Sequence, residues 1–184
     1  MVMNLALSDI PYARPDGSQE RLRDHLGKVV LIVNTASKCG LTPQFASLDR
    51  LYRDKRAAGL LVLGFPSGDF MEQEFDSDEE IAAFCSGVYD VSFPMLAKTS
   101  VAGDGGHPLF HALTRAVPHA IGADEFRDLM RKHKLELAPS PGVLWNFEKF
   151  LIGRDGKVAM RFAPHIAVDD ERVCLAIEVE LAKE

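Results

Sequence analysis

Cysteine and tryptophan are scarce in this chain, with three Cys and one Trp among 184 residues. An odd number of cysteines argues against a secreted disulfide framework, in which thiols are normally paired. A reducing cytoplasm is therefore the expected compartment, where cysteines are inert, bind metals or take part in redox chemistry. Each of the three cysteines then needs its own explanation.

Long apolar runs and an excess of positive charge are also missing. No window approaches the ~20 apolar residues that a membrane-spanning helix needs. Residues 1–17 lack the basic start and the apolar core of a signal peptide. The net charge of −6 does not favour nucleic-acid binding, because neutralising phosphates requires clustered Lys and Arg. We expect a protein that binds neither membranes nor nucleic acids.

The apolar pattern predicts an α/β fold. Two β-branched runs, "VVLIVNTA" at 29–36 and "LLVLGFP" at 60–66, are typical of buried central strands. A helix is predicted after each run, and a later hairpin across residues 154–156 precedes a closing helix. An opening hairpin is expected around residues 16–17. This order matches a thioredoxin-type architecture, in which helices flank a mixed central sheet.

No linker or repeat divides the chain, and its length predicts one domain over residues 1–184. Segment 117–142, which is rich in proline, interrupts the α/β pattern and is interpreted as an inserted surface segment. A short strand is expected at 93–101, and a helix is expected to begin at Pro108. The oligomeric state stays open between a monomer and a small homo-oligomer.

Cys39 follows the first buried strand and precedes a predicted helix. Ligand sites in open α/β sheets lie beyond the carboxyl ends of the strands, and a helix N-terminus favours the thiolate over the thiol. From position alone, a reactive thiolate and a buried spacer thiol are equally good interpretations. Cys85 and Cys174 lie on predicted helices, and their pattern favours core positions for both.

Four stretches together resemble the glutathione peroxidase family. They are "NTASKCGLTPQF" at 34–45, "LVLGFPSGDFMEQE" at 61–74, "VSFPMLAKTSVAGDGGHPLF" at 91–110 and "WNFEKFLIGRDGKV" at 145–158. Their order and spacing cover essentially the whole chain. The resemblance implies a thioredoxin-like fold and an antioxidant enzyme, active in the response to oxidative stress, that reduces hydrogen peroxide and organic hydroperoxides with a cysteine.

The resemblance also implies roles for particular residues. Cys39 corresponds to the peroxidatic cysteine, whose thiolate attacks the peroxide O–O bond and becomes a sulfenic acid. Trp145 and Asn146 correspond to two of the three donors that surround the sulfur in the family. The resemblance implies no cofactor. None of the six histidines pairs with another His or a Cys at metal-ligand spacing, so no metal site is predicted.

The third donor, a Gln in the family, corresponds to Asp69 here. An ionised carboxylate only accepts hydrogen bonds, and its charge opposes a nearby thiolate. Two interpretations stay open: Asp69 lies beside the sulfur and weakens the enzyme, or it faces solvent in a turn. In the second case Gln73 or Gln44 would be the substitute donor.

Cys85 corresponds to the resolving cysteine of the thioredoxin-dependent branch, which precedes a Phe-Pro motif, here residues 93–94. The resemblance therefore implies a disulfide between Cys39 and Cys85 that thioredoxin reduces, with glutathione as the alternative reductant. Since Cα atoms more than ~7 Å apart cannot be bridged, we expect the Cys85 helix to unwind partly on oxidation. A peroxide sensor that oxidises a partner protein, and a weakened, mainly binding family member, are the alternative functions.

Overall fold

The structure is a computed structural model and describes residues 6–183. The prediction that the N-terminus is not a signal peptide falls partly on residues 1–5, outside the described residues. Within the part of the chain that the structure describes, no helix combines the length and the apolar character needed to cross a membrane.

The strands form a short hairpin and a larger mixed sheet. The hairpin pairs β1 (Tyr12–Ala13) with β2 (Gln19–Glu20) in antiparallel fashion, as expected around residues 16–17. The sheet contains β3 (Val29–Thr35), β4 (Leu60–Pro66), β5 (Lys149–Ile152) and β6 (Val158–Phe162). Its spatial order is β4-β3-β5-β6, with β3 parallel to β4 and the other pairs antiparallel. The predicted mixed sheet is confirmed.

Five helices of the described chain connect or follow these strands: α1 (Gln44–Lys55), α2 (Asp78–Tyr89), α3 (Pro108–Ala116), α4 (Ala123–Lys132) and α5 (Glu171–Leu181). Side-chain caps explain where two of them begin. The Ser77 hydroxyl accepts a hydrogen bond from the Glu80 N–H at 3.2 Å, in a complete capping box at the start of α2. The His107 Nδ1 accepts from the Leu109 N–H at 3.1 Å, with Pro108 as the first residue of α3.

The core lies on both faces of the sheet because successive side chains of a strand point to opposite faces. On β3, Leu31 and Val33 pack into one apolar cluster and Ile32 into the other. The first cluster contains side chains from α1, α2, α4 and α5, and the second contains side chains from α3. Both sheet faces are therefore covered by helices, as predicted.

The predicted strand at 93–101 is wrong. Only an isolated bridge joins Met95 to Gly64, because the N–H groups of this segment bond to several elements. Leu96 donates to the Gly64 carbonyl at 2.8 Å, Ala97 to Ala13 at 3.0 Å and Thr99 to Pro66 at 2.9 Å. A bridged segment of this kind holds the edge of β4 without extending the sheet.

The predicted core position of Cys174 is also wrong. Val173, Ala176 and Ile177 occupy the buried face of α5, whereas Cys174 is exposed. The apolar stripe of this helix is one position away from the cysteine, an offset that periodicity in a short helix does not resolve.

Segment 117–142 contains α4 and is fastened at both ends by one side chain. The buried Arg161 of β6 donates to the carbonyls of Val117 and Pro118 at one end, and of Pro141 and Gly142 at the other. The segment also contributes to the core, since Phe126 and Met130 are buried in the first apolar cluster.

Candidate active site

The candidate site lies at one edge of the central sheet. Because β3 and β4 are parallel, their carboxyl ends meet at this edge. The antiparallel strand β5 begins at the same edge, since Lys149 pairs with Val33 near the end of β3. The loops after β3, after β4 and before β5 therefore converge there.

Cys39 is half-buried in a turn between β3 and α1. Its Sγ accepts a hydrogen bond from the Leu41 N–H at 3.3 Å. Its own N–H donates to the Thr42 hydroxyl at 3.0 Å, and that hydroxyl donates to the Ala36 carbonyl at 2.8 Å. The N–H beside the sulfur thus belongs to the turn, because α1 begins only at Gln44.

The backbone of Trp145 and Phe147 is held by Asn34 at the end of β3. The Asn34 side-chain amide donates to the Trp145 carbonyl at 2.9 Å, and the Asn34 carbonyl accepts from the Phe147 N–H at 2.6 Å. The half-buried Trp145 ring packs against Phe70, with ring centroids 5.2 Å apart. Asn34, in the motif at 34–45, therefore positions the backbone of the motif at 145–158.

Gln73 joins the loops that carry Cys39 and Asn146. The fully buried Asn146 donates through Nδ2 to Gln73 Oε1 at 3.0 Å. The backbone carbonyl of Gln73 accepts from the Lys38 N–H, directly before Cys39, at 2.9 Å. Gln44, the other candidate donor, is turned away and donates to the Pro164 carbonyl at 2.8 Å.

Asp69 does not occupy the place expected of the family Gln. Its Oδ2 accepts from the N–H groups of Val101 at 2.5 Å and Ala102 at 3.0 Å, and from the Ser100 hydroxyl at 3.1 Å. Asp69 is exposed, as the turn interpretation expects, but its carboxylate caps a neighbouring loop. Gln73, four positions along the same motif and one of the two candidate substitute donors, is the residue that bonds to Asn146.

Cys85 is buried in the intact helix α2, with 2% of its surface exposed. Burial, and next the charge of Glu74, raise the pKa of this thiol to about 12. In this conformation Cys85 is therefore a protonated thiol inside a folded helix. Burial also raises the pKa of Glu74 itself.

A buried ionic group supports the turn before β5. Glu148 pairs with Arg161 and accepts from the Leu144 N–H at 2.6 Å. Lys149 is fully buried and donates to the carbonyls of Phe147 at 2.6 Å and Pro164 at 3.0 Å. Burial lowers the pKa of Lys149 to about 7, against the opposing charge of Glu148. These contacts fix the backbone that follows Trp145 and Asn146.

Across residues 6–183, no group of three or more His, Cys, Asp and Glu side chains is arranged to hold a metal ion. His107 caps α3, and burial lowers its pKa. At this edge the Cys39 thiol accepts the Leu41 N–H, and the paired Asn146 and Gln73 amides lie on the adjoining loops.

The chain is similar to known peroxidases over most of its length. The sequence profile of the family described as "Glutathione peroxidase" matches residues 8–114. The "Thioredoxin/glutathione peroxidase BtuE" of Escherichia coli is 45% identical over 91% of this chain and 93% of its own length. The "Hydroperoxy fatty acid reductase gpx1" of Synechocystis is 42% identical over 90% of this chain and 88% of its own length.

Solved structures agree on the fold. The crystal structure of Trgpx in its apo form is 32% identical, with a TM-score of 0.69 and coverage of 97% of both chains. A Xanthomonas campestris peroxiredoxin Q, 20% identical with a TM-score of 0.60 over 98% of both chains, shares the fold alone. The predicted thioredoxin-like fold is confirmed. The profile match over residues 8–114 and these relatives show that the chain belongs to the glutathione peroxidase family and is a peroxidase.

Proposed function

We propose that this peroxidase reduces hydrogen peroxide and organic hydroperoxides through Cys39, with Cys85 as the resolving cysteine and thioredoxin as the reductant. Glutathione is the alternative reductant. The observation that carries the proposal is the half-buried Cys39 Sγ, which accepts the Leu41 N–H in a loop tied by Gln73 to Asn146.

In the proposed first step, the Cys39 thiolate attacks one peroxide oxygen and the O–O bond breaks. The sulfur becomes a sulfenic acid, and the leaving oxygen takes a proton to give water or an alcohol. Donors around the sulfur stabilise the charge that develops on the leaving oxygen. The turn N–H of Leu41 supplies one donor, and we assign the Trp145 indole and the Gln73 amide as the others.

In the proposed second step, Cys85 attacks the sulfenic acid and forms a disulfide with Cys39. Because Cys85 lies inside α2, this step requires the helix to open locally. The name of the Escherichia coli relative couples thioredoxin and glutathione, which supports thiol reductants of both kinds. A resolving cysteine at position 85 favours thioredoxin as the reductant. It would leave the oxidised enzyme as a protein disulfide, which thioredoxin reduces by thiol–disulfide exchange.

We further propose that residues 1–184 form one peroxidase domain that works in a reducing cytoplasm, as a monomer or a small homo-oligomer. Segment 117–142 is treated as an insertion within this domain. Its ends meet at Arg161, an arrangement suited to an inserted segment.

Steady-state turnover with peroxide, thioredoxin, thioredoxin reductase and NADPH tests the proposal. We expect sustained NADPH oxidation for the native chain and a large loss for Cys39→Ser and for Cys85→Ser. The matched control is Cys174→Ser, because Cys174 is exposed on α5, and this variant should keep full activity. A parallel assay with glutathione and glutathione reductase ranks the two reductants.

The same experiment separates the alternative functions. A single oxidation of Cys39 followed by slow recycling would favour a peroxide sensor over an enzyme. The absence of Cys39 oxidation would favour a mainly binding protein. The alternative of a weakened enzyme depends on an Asp69 carboxylate beside the Cys39 sulfur. It has less support because this carboxylate bonds to residues 100–102.

A further inference from the structure

Residues 73–75 connect the Cys39 loop to helix α2, which carries Cys85. Gln73 accepts the Lys38 N–H through its carbonyl at 2.9 Å. The Lys38 ammonium lies over the Phe75 ring, 4.1 Å from its centroid. Phe75 also packs against Phe84, the neighbour of Cys85 in α2, with ring centroids 5.7 Å apart. The segment is therefore in contact with both cysteine-bearing elements.

Glu74, at the centre of this segment, holds a buried carboxyl group. Only 3% of its surface is exposed. Its Oε1 accepts from the N–H groups of Ser37 at 3.2 Å and Phe75 at 2.8 Å. Its Oε2 and the Ser37 hydroxyl are both buried without a hydrogen-bond partner among the described residues, and the Ser37 hydroxyl acts on this carboxyl to lower its pKa against the effect of burial. A buried polar atom without a partner is rare in folded proteins and calls for a functional explanation.

We propose that Glu74 is the proton acceptor for the Cys85 thiol when the disulfide with Cys39 forms. The inference deepens the proposed function and rests on it, because it concerns the resolving step. Its basis is the unpartnered Oε2 on a segment that contacts the Cys39 loop through Ser37 and α2 through Phe84.

The Cys85 S–H bond breaks, its proton passes to Glu74 Oε2, and the thiolate attacks the Cys39 sulfur. The S–S bond forms as the S–O bond of the sulfenic acid breaks, and the departing hydroxide recovers the proton from Glu74 as water. The Cys39 sulfur is reduced, the Cys85 sulfur is oxidised, and Glu74 returns to its starting state.

The charges around Glu74 suit this role. Burial raises its pKa, and the hydrogen bonds from Ser37 and Phe75, followed by the charge of Lys98, oppose that rise. The charge of Glu74 adds to burial in raising the pKa of Cys85. A carboxyl with a raised pKa is a better base at neutral pH than an exposed one. The other charged groups lining this cleft are Lys38, Glu72 and Asp76.

The test compares the native chain with Glu74→Gln, whose amide oxygen can still accept from Ser37 and Phe75. Reduced protein is mixed with excess hydrogen peroxide, quenched at intervals with acid and analysed by mass spectrometry for the Cys39–Cys85 disulfide. The rate of disulfide formation is measured across about pH 5 to 9. Glu72→Gln is the matched control, since it removes an exposed charge from the same cleft, and Glu74→Asp retains the carboxylate.

In the native chain we expect disulfide formation that varies little with pH above neutrality. In Glu74→Gln we expect a rate about 10²-fold lower at pH 7, which then rises with hydroxide concentration toward the alkaline pKa of the thiol. Glu74→Asp should restore the weak pH dependence, and Glu72→Gln should behave as the native chain. Oxidation of Cys39 itself, followed in the Cys85→Ser background, should be nearly unchanged by Glu74→Gln.

Equal rates and equal pH dependence in the native chain and Glu74→Gln would overturn the role of Glu74 while leaving the proposed function intact. A lower rate with an unchanged pH dependence would assign Glu74 a structural role only and would also overturn the proposal. Failure of the native chain to form the Cys39–Cys85 disulfide would instead remove the proposed function.

Discussion

The Asn146 side chain donates to Gln73 Oε1 at 3.0 Å. Gln73 also receives the Lys38 N–H through its backbone carbonyl. One residue of the loop after β4 therefore bonds to the loop that carries Cys39 and to the turn that carries Trp145. With Oε1 facing Asn146, the Nε2 group of Gln73 is oriented as a donor toward other groups.

Gln73→Ala should slow the oxidation of Cys39 by about 10²-fold, because removing one donor from a site of developing negative charge has an effect of that size. The measurement is stopped-flow Trp145 fluorescence during reaction with peroxide. Gln44→Ala is the matched control, since Gln44 donates to Pro164, and it should react at the native rate. Equal slowing in both variants would contradict the assignment.

Asp69→Gln should leave the peroxide rate unchanged and lower the free energy of unfolding by about 1–2 kcal/mol. The reason is the loss of a charged acceptor for the Val101 and Ala102 N–H groups. Urea unfolding measures the stability, with the exposed Asp76→Asn as a control. A clear gain in peroxide rate would mean that Asp69 limits the chemistry after all.

Alkylation should distinguish the cysteines of the reduced protein. At pH 8 we expect iodoacetamide to modify the exposed Cys174 and to leave Cys85 unmodified, because Cys85 is buried and its pKa is raised to about 12. Peptide mapping by mass spectrometry gives the extent of reaction at each site, and unfolding in urea should make Cys85 reactive. Rapid alkylation of Cys85 in the folded protein would show that α2 opens readily before oxidation.

Lys149 should make stability depend on pH. Its folded pKa of about 7 lies below the ordinary value of 10.5, so between these values the unfolded chain binds more protons. The free energy of unfolding of the native chain should therefore rise with pH, relative to Lys149→Met, from about pH 7 to about pH 10. The exposed Lys157→Met is the control and should run parallel to the native chain. A constant difference between the native chain and Lys149→Met would indicate that Lys149 stays charged.

Much of the fold could be predicted because its elements have strong local signals. The β-branched runs of β3 and β4, the capping box at Ser77 and Pro108 at the start of α3 specify their structures through nearby residues. The strand expected at 93–101 does not form, because backbone N–H groups of this segment donate to the carbonyls of Ala13, Gly64 and Pro66. Those partners are distant in sequence, so no local pattern reports them.

The sequence indicated which residues belong to the candidate site better than it indicated which hydrogen bonds they make. The motifs assign Cys39, Trp145 and Asn146 to one site, but motif position only aligns Asp69 with the family Gln and leaves open whether Asp69, Gln73 or Gln44 is the donor. The loop from Gly68 to Gln73 decides which side chain reaches Asn146. Two successive residues there, Met71 and Glu72, have left-handed backbones with φ of 57° and 53°. Such turns in non-glycine residues are not predictable from propensity, because tertiary contacts impose them.

Arg161 holds both ends of segment 117–142 at a single point. The chain therefore leaves and re-enters the sheet region at the same place, whatever path it follows in between. Changes of length in the exposed turns beside α4 need not shift the register of Trp145 and Asn146, because closure is set at the base and long loops add little closure entropy. The helix itself is not free to vary in this way, since its Phe126 and Met130 are packed in the core.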